Sequence, residues 1–295
     1  MTKKKINIII PLAGSGNSFI NAGYTFPKPL IDIKGKPMIQ LVIENLKLKF
    51  DHKFILICQN EHFDKYSLAQ VFNNSTSGNF ESVRLTSPTQ GAACTVLTAV
   101  DHINEDEELI IANADQLIDL SFNKFIEFSR KSRADGVIMT FNSLHPRWSY
   151  ARVDKKGNVL EVAEKKVISD KATVGLYYFK KGGDFIKSAF SMIEKNIRFN
   201  NDFYVCPVFN EMILEGKKII IWDIKQESMH SLGTPEDLNT YLNYLEITGQ
   251  RRKRDISKKS LKTKSKVKSK KIKPRQIGNG RPVTKKGRHS GPIYS

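Results

Sequence analysis

The chain has 295 residues, of which 48 are Lys or Arg and 30 are Asp or Glu, so its formal net charge is +18. Its 40% of hydrophobic residues excludes disorder throughout, and no apolar run approaches the roughly 20 residues that span a bilayer. The apolar run from Ile6 to Pro11 is also too short for the core of a signal peptide, so it predicts a strand. The three cysteines are far apart in the sequence, which favours a reduced, cytoplasmic compartment.

Strand-like and helix-like segments alternate in the first half of the chain. Apolar runs predict strands over Ile6–Pro11, Phe54–Cys58, Val83–Thr86 and Leu109–Ala112. Helices are predicted over Pro37–Leu46, Glu61–Phe72 and Gly91–Ile103. This alternation is typical of a parallel sheet with helices on both faces.

From Gly136 onwards the predicted strands follow one another more closely. They cover Val137–Phe141, Tyr150–Val153, Val159–Ala163, Val174–Phe179 and Lys218–Trp222. Helices are predicted over Gly183–Glu194 and Tyr204–Leu214, and a last helix begins at Thr234, whose hydroxyl is a suitable N-cap. All these segments together predict one α/β domain over residues 1–250.

A loop with two glycines follows the first predicted strand, in the segment Leu12, Ala13, Gly14, Ser15 and Gly16. Glycine allows the backbone N–H groups of such a loop to approach a phosphate or a base edge. Taken alone, the loop fits an ordinary tight turn equally well. Further on, Lys28 lies between two prolines, which would hold its ammonium group towards a ligand at little entropic cost. An ordinary solvated lysine is the alternative interpretation.

These opening motifs resemble those of one enzyme family, the sugar-phosphate nucleotidylyltransferases or NDP-sugar pyrophosphorylase-like proteins. Leu-Ala-Gly-x-Gly, Pro-Lys-Pro-Leu and Gly-Lys-Pro-Met-Ile follow one another at the family's spacing. Further similar segments are Gly91-Ala-Ala, Asn113-Ala-Asp115, Glu164-Lys165, Gly175-Leu-Tyr and Leu232-Gly-Thr-Pro-Glu-Asp-Leu238. The resemblance covers about Lys5 to Gly249. It implies an α/β, Rossmann-like fold of the GT-A type, with a mixed, mostly parallel sheet flanked by helices.

The resemblance also implies roles for individual residues. Those implied to bind the nucleotide are Leu12, Ala13, Gly14, Ser15, Gly16, Gly91 and Ala92. Those implied to face the sugar and its phosphate are Glu164, Lys165 and Gly175. Lys28 and Asp115 are the implied catalytic residues, and Asp115 is the implied ligand of the cofactor, Mg²⁺. The implied partners are a nucleoside triphosphate or nucleotide-sugar and a phosphorylated small molecule.

A narrower resemblance points to the capsule-biosynthesis subgroup that is labelled family-2 glycosyltransferase-like. It rests on the segments His145-Pro-Arg-Trp-Ser-Tyr150, Ile168-Ser-Asp-Lys-Ala-Thr173 and Asp202-Phe-Tyr204. It implies a reaction in the biosynthesis of a surface polysaccharide.

The chain departs from the family pattern at two positions. Ser18 stands where the family has an arginine that would contact the triphosphate, and serine cannot supply that charge. Ser231 stands where the family has a second metal-binding aspartate, which the capsule subgroup often lacks as well. His230 beside it is a poor substitute, because Mg²⁺ prefers oxygen ligands.

Three functions stay open from the sequence. The first is Mg²⁺-dependent transfer of a nucleoside monophosphate to a sugar phosphate or similar phosphate, with release of pyrophosphate. The second is glycosyl transfer from a nucleotide-sugar on the same type of fold. The third is nucleotide binding with little or no turnover, which the two serines favour.

Residues 251–295 form a separate basic segment. They contain 18 Lys or Arg and one acidic residue, Asp255, whereas residues 1–250 contain 30 basic and 29 acidic residues. This composition predicts a disordered tail. Such a tail can bind nucleic acid or anionic surfaces without sequence preference, direct the protein to a compartment such as the nucleus, or serve only solubility.

Overall fold

The computed structural model describes residues 5–250. Its contacts separate a body that ends at Asn243 from a second unit that begins at Tyr244. Of the second unit the structure describes residues 244–250, which are helical. The predicted disorder of residues 251–295 and the predicted boundary before them concern a part of the chain outside the described residues, so both stay predictions.

The body consists of short strands and helices that alternate along the chain. The strands are β1 (Ile6–Pro11), β2 (Asp32–Ile33), β3 (Lys36–Pro37), β4 (His52–Gln59), β5 (Phe80–Leu85), β6 (Glu108–Ala112), β7 (Gln116–Ile118), β8 (Gly136–Asn142), β9 (Tyr150–Val153), β10 (Val159–Ala163), β11 (Lys171–Phe179), β12 (Ile219–Ile224) and β13 (Met229–Ser231). The helices are α1 (Asn17–Asn21), α2 (Met38–Asn45), α3 (Asn60–Lys65), α4 (Leu68–Thr76), α5 (Ala92–Leu97), α6 (Phe122–Ser132), α7 (Gly182–Glu194), α8 (Val208–Leu214) and α9, which begins at residue 235.

One mixed sheet forms the centre of the body. Four parallel strands lie in the order β5-β4-β1-β6, and β11 lies antiparallel beside β6. β8 is antiparallel to β11, β12 is parallel to β8, and β9 and β10 extend the sheet from the first residues of β11. The predicted Rossmann-like, mostly parallel α/β sheet flanked by helices is therefore confirmed.

The central strand β1 shows why the sequence folds in this way. Ile6, Ile8, Ile9 and Ile10 have no exposed surface. A strand in the middle of a parallel sheet is covered by helices on both faces, so it is apolar at nearly every position and does not alternate. Asn7 is the exception, and its side-chain amide donates a hydrogen bond to Glu107 at 3.2 Å.

Three predicted helices are wrong in extent, each for a local reason. The helix predicted over Glu61–Phe72 is two helices, because Ser67 between them has the left-handed φ of 49°. The helix predicted over Gly91–Ile103 ends at Leu97, and the Thr98 hydroxyl donates a hydrogen bond back to a main-chain carbonyl there. The helix predicted from Tyr204 begins only after Pro207, whose missing N–H is tolerated at a helix start.

The last helix begins as predicted. The backbone N–H of Asp237 donates a hydrogen bond to the Thr234 hydroxyl at 3.2 Å, so Thr234 is the N-cap. Across the residues that the structure describes, no helix combines the length and apolar character that a membrane crossing requires.

Two small ribbons that the sequence did not predict lie outside the main sheet. β2 pairs with β3, and β7 pairs antiparallel with β13, with Gln116 opposite Ser231. The second ribbon joins segments more than 100 residues apart. It brings Asp115, just before β7, next to the Gly-Thr-Pro segment just after β13, and the Leu232 N–H donates to the Asp115 carbonyl at 2.7 Å.

Candidate active site

Two cavities lie side by side at the carboxyl ends of β1 and β6, where open α/β sheets commonly bind ligands. The first, which we call the glycine-loop cavity, has a volume of about 460 Å³ and includes the loop after β1. The second, which we call the Glu164 cavity, has a volume of about 440 Å³. Ala92, Asn113 and Asp115 line both cavities, so molecules bound in the two would meet at these residues.

The structure brings together all the residues to which the sequence assigned roles. Those that line the glycine-loop cavity are Leu12, Ala13, Gly14, Ser15, Gly16, Lys28, Gly91, Ala92 and Asp115. Those that line the Glu164 cavity are Glu164, Lys165 and Gly175, and Asp115 and Ala92 reach this cavity as well. The predicted nucleotide-binding and sugar-binding sets thus lie in separate cavities that share a wall.

The loop after β1 is held by hydrogen bonds to β4. The Leu12 N–H donates to the Ile57 carbonyl at 2.8 Å, and the Gln59 amide donates to the Ala13 carbonyl at 2.8 Å. Gly16 has the left-handed φ of 65°, and a Cβ there would lie 3.3 Å from the Cβ of Lys28. Glycine at this position therefore lets the loop turn and lets the Lys28 segment pack against it.

Gly91 and Ala92 form the opposite wall of the glycine-loop cavity. Gly91 has a φ of 101°, and a Cβ there would lie 2.5 Å from the carbonyl oxygen of Phe203. The Ala93 N–H donates to that carbonyl at 2.9 Å, and the Phe203 N–H donates to the Gln90 carbonyl at 2.8 Å. Only glycine fits here, because the two backbone segments are in direct contact.

Lys28 and Asp115 meet at the boundary between the cavities. The Lys28 ammonium donates a hydrogen bond to Asp115 Oδ2, and both side chains are about one-fifth exposed, at 23% and 22%. The ammonium also lies 5.9 Å from the ring centre of Phe19. The pair puts one positive and one negative charge at the wall that the two cavities share.

Asp115 at this wall and Asp237 near it are carboxylates of the type that hold Mg²⁺, whose other ligands a nucleotide would have to supply. Within residues 5–250, no group of three or more His, Cys, Asp or Glu side chains is arranged to hold a metal ion. Oδ2 of Asp115 and Oδ2 of Asp237 each lie 3.5 Å from the position that a Cβ on Gly233 would take. Mg²⁺ is usually bound through one or two carboxylates, with phosphates and water completing its octahedron.

Glu164 is the buried acid of the second cavity. The Ser149 hydroxyl donates a hydrogen bond to Glu164 Oε2 at 2.5 Å. Burial nevertheless raises the pKa of the Glu164 carboxyl. Next to it the Lys165 ammonium donates to the Tyr204 hydroxyl at 2.9 Å and lies 4.8 Å from that ring's centre. Acceptor and donor groups are therefore adjacent on one wall, which suits a polyhydroxylated molecule with a phosphate.

Gly175 forms the floor of the Glu164 cavity at an irregularity in β11. Its φ is 86°, and the register of β11 against β8 shifts between Thr173 and Tyr177. A Cβ at Gly175 would overlap the side-chain amides of Asn113 and Gln116. Gln116 Oε1 is buried and accepts no hydrogen bond from the described residues.

The two departures from the family pattern lie in different places. Ser18 is exposed on α1 and is not among the residues that line either cavity. Ser231 lines the Glu164 cavity and donates a hydrogen bond to Asp237 Oδ2 at 2.8 Å. His230 Nε2 lies 2.9 Å from Asp119 Oδ2, which gives this histidine a partner away from Asp115.

Sequence reasoning missed several residues that line the cavities. In the glycine-loop cavity they include Pro88, Thr89, Thr95 and Asp202. In the Glu164 cavity they include Asn113, Gln116, Arg147, Trp148, Tyr177 and Asp237. Six of these residues stand in segments quoted for the resemblance, so the motifs contained the signal, although no individual binding role had been attached to them: Asn113, Arg147, Trp148, Tyr177, Asp202 and Asp237.

A family model and several relatives match the chain. The model described as nucleotidyl transferase matches residues 7–203. The chain is 25% identical over 193 residues to a "Bifunctional protein GlmU" of Methanocaldococcus jannaschii. It is also 25% identical over 190 residues to a "UTP--glucose-1-phosphate uridylyltransferase" of Synechocystis sp.. These matches cover 64% and 58% of this chain but 42% and 48% of the relatives, so the chain spans less than half of their length.

Solved structures share the fold. A nucleoside-diphosphate-sugar pyrophosphorylase from Vibrio cholerae matches with a TM-score of 0.69 and 23% identity, over 80% of this chain and 99% of that one. At this identity the likeness establishes the fold alone.

Proposed function

The chain belongs to the nucleotidyl transferase family, and from this premise we propose that it transfers a nucleoside monophosphate from a nucleoside triphosphate to a sugar phosphate or similar phosphate. The reaction would depend on Mg²⁺ and release pyrophosphate. The resemblance to the capsule subgroup supports a place in surface glycan biosynthesis, with the reaction in the cytoplasm, where nucleoside triphosphates are available.

The observation that carries this proposal is the wall that the two cavities share. Nucleotidyl transfer needs an acceptor phosphate oxygen in line with the α-phosphorus of the triphosphate. That oxygen forms a new P–O bond, and the bond to the leaving pyrophosphate breaks. Because Asn113 and Asp115 line both cavities, a triphosphate in one and a sugar phosphate in the other would meet at this place. Positioning of this kind supplies most of the catalysis that phosphoryl-type transfer requires.

The charged residues at the wall have complementary tasks in this reaction. The Lys28 ammonium leaves Asp115 and binds phosphate oxygens, and the backbone N–H groups of the glycine loop bind the rest of the triphosphate. Asp115, released from Lys28, would hold Mg²⁺, and the bound ion would supply neutralisation of phosphate charge. Lys165 binds the acceptor phosphate, and Glu164 accepts hydrogen bonds from sugar hydroxyls.

A substrate screen tests the proposal directly. The four common nucleoside triphosphates are each combined with Mg²⁺ and a panel of sugar phosphates, and pyrophosphate release is measured. We expect release only when both substrates are present. Nucleotide-sugars form a second arm, since glycosyl transfer would consume them without producing pyrophosphate. Consumption of nucleotide-sugar alone would replace the proposed reaction by glycosyl transfer.

One observation favours a second candidate function, which is nucleotide binding with little turnover. Ser18 puts no positive charge beside the glycine loop, and it is exposed on the helix that follows that loop. We expect Ser18→Arg to raise pyrophosphate release about tenfold, which corresponds to ~1.4 kcal/mol of transition-state stabilisation. Ile20→Arg, a change at an exposed position on the same helix, is the control. A brisk wild-type enzyme that Ser18→Arg does not improve would contradict this expectation.

The basic tail should act independently of the site. With 18 basic residues against one acidic residue over residues 251–295, we expect salt-sensitive binding of the full chain to unrelated DNA duplexes. Affinity should fall by roughly 0.9 log units per log unit of salt for each phosphate neutralised. A chain truncated after residue 250 should lose this binding and keep its nucleotide affinity and thermal unfolding. Equal duplex binding by both chains would place the polyanion site on the body.

A further inference from the structure

Arg147 lines the Glu164 cavity and has no task in the reaction described above. It lies in the loop between β8 and β9 and donates hydrogen bonds from Nη1 to Asp237 Oδ1 at 2.9 Å and to Asp237 Oδ2 at 3.1 Å. Its side chain is 41% exposed, whereas that of Asp237 is 14% exposed. A guanidinium group therefore stands at the cavity, held by a single carboxylate.

The loop that carries Arg147 is held in place by hydrogen bonds and by ring contacts. The hydroxyl of Tyr150, a residue with no exposed surface, donates to the His145 carbonyl at 2.7 Å. The Arg147 N–H donates to His145 Nδ1 at 3.3 Å. The Trp148 ring packs edge-on against Phe141 with 5.4 Å between ring centres, and the guanidinium lies 4.2 Å from the Trp148 ring centre. The base of the side chain is thus fixed, and its charged end is stacked on a rigid surface.

Asp237 can release the guanidinium without losing all its partners. Its Oδ2 also accepts a hydrogen bond from the Ser231 hydroxyl at 2.8 Å, and its N–H is bound to Thr234. Asp237 Oδ2 and Asp115 Oδ2 are both 3.5 Å from the same point above Gly233, so the pair lies close to the wall shared by the cavities. An ion pair that is open to water on one side is weak, and its exchange is easy.

We propose that Arg147 binds the phosphate group of the acceptor, and that its guanidinium is paired with Asp237 only while no acceptor is bound. This rests on the proposed function in taking the acceptor to be a phosphorylated molecule. Arginine is suited to the exchange, because its planar fork binds the oxygens of carboxylates and phosphates in the same two-point geometry. Arg147 would thus supply a positive charge to the acceptor, whereas Ser18 supplies none to the nucleotide.

Trp148 offers a direct measurement, since the guanidinium is stacked on its ring. The chain has two tryptophans, and Trp222→Phe leaves Trp148 as the single tryptophan, which can be excited selectively over tyrosine. We would titrate this full-length variant with inorganic phosphate and with α-D-glucose 1-phosphate, in EDTA so that metal binding does not contribute. Trp148 fluorescence should change in a saturable way in both titrations. No saturable change with either probe would overturn the proposal.

Variants of the ion pair give effects of opposite sign. Arg147→Ala should weaken binding of both probes by about tenfold or more, and Arg147→Lys should restore part of it. Asp237→Asn should tighten binding, because the competing carboxylate charge is removed. Arg152→Ala and Glu161→Gln are matched controls, since that pair has a 2.7 Å contact on β9 and β10 and lines neither cavity. Weaker binding in Asp237→Asn would show that Asp237 positions Arg147 and would overturn the exchange.

Steady-state kinetics separate this inference from the proposed function. Arg147→Ala should raise KM for the acceptor and leave KM for the nucleoside triphosphate unchanged. Pyrophosphate release with an unchanged acceptor KM would refute the role of Arg147 and leave the proposed function intact. If the protein releases no pyrophosphate but still binds phosphate through Arg147, the role of Arg147 stands and the proposed reaction is refuted.

Discussion

Replacement of Asp115 by asparagine should reduce Mg²⁺-dependent pyrophosphate release by about 100-fold or more, which corresponds to ~2.7 kcal/mol of transition-state stabilisation. Asparagine keeps the size of the side chain and removes the charge that would hold the metal ion. Asp115 lines both cavities, so its loss should affect the meeting point of the two substrates rather than one of them. Initial rates at saturating Mg²⁺ give the measurement.

A nearby carboxylate provides the control for this variant. Asp119 follows Asp115 by four residues, lines neither cavity and lies 2.9 Å from His230. Asp119→Asn should leave the rate within about twofold of the wild type. If the rate of pyrophosphate release falls equally in both variants, the total charge of the loop determines the rate and Asp115 has no individual role.

The partner of Asp115 should be needed for nucleotide binding. Lys28→Ala removes a charge-assisted contact to phosphate, so we expect nucleotide affinity in the presence of Mg²⁺ to fall by ~1.5–3 kcal/mol. Lys36→Ala is the matched control, because the Lys36 ammonium is paired with Glu44 at 2.7 Å and lines neither cavity. Calorimetric titration with each nucleoside triphosphate measures the effect. Unchanged affinity in Lys28→Ala would place the nucleotide elsewhere.

Gly91→Ala should cause a large loss of stability, because its Cβ would meet backbone atoms that cannot move aside as side-chain ends can. The new Cβ would lie 2.5 Å from the Phe203 carbonyl oxygen and 2.6 Å from the Phe203 nitrogen, both of which are backbone atoms. Gly91 also has a φ of 101° and a ψ of 173°, a backbone region that is essentially restricted to glycine, so a side chain adds strain there. Together we expect a decrease in the free energy of unfolding of about 2–5 kcal/mol.

Gly157→Ala is a reference for a positive φ without a steric contact. Its φ is 82°, and a Cβ there meets no atom within 4 Å, so only the backbone strain applies. This control should cost about 1–2 kcal/mol. Urea unfolding of both variants gives the comparison, and nucleotide affinity should fall only in Gly91→Ala, where the cavity wall moves. Similar losses in the two variants would show that the contact with Phe203 relaxes easily.

The apolar pattern alone was enough to predict the strands of the main sheet, although β5 covers Phe80–Leu85 where Val83–Thr86 was predicted and β12 covers Ile219–Ile224 where Lys218–Trp222 was predicted. β9 and β10 have the predicted bounds, and the predicted segments of β1, β4, β6 and β8 lie within the observed strands. Buried strands are continuous apolar runs between turn residues, and this local pattern is visible without any tertiary information. Helix ends were less predictable, because the left-handed φ of Ser67 is uncommon for a residue with a side chain and cannot be read from the apolar pattern.

Motif spacing likewise predicted which residues lie at the ends of these strands. Once β1 and β6 are adjacent and parallel, the glycine loop and Asp115 must lie at the same edge of the sheet. The chemistry of this edge could therefore be read from the sequence, as could the departure at Ser18, because both are properties of residue type and order.

Only the tertiary structure decided how distant segments combine at the site. The register of β7 with β13 sets Gln116 opposite Ser231, and Asp237, which follows β13, lines the Glu164 cavity together with Arg147 from the loop between β8 and β9. Neither strand has more than three residues, which is too short for a pattern that specifies a partner. The contacts of Lys28 with Asp115 and of Arg147 with Asp237 join residues about 90 positions apart. Such contacts form only after the intervening strands have packed into the sheet. The residues near each partner in the sequence therefore do not specify the contact.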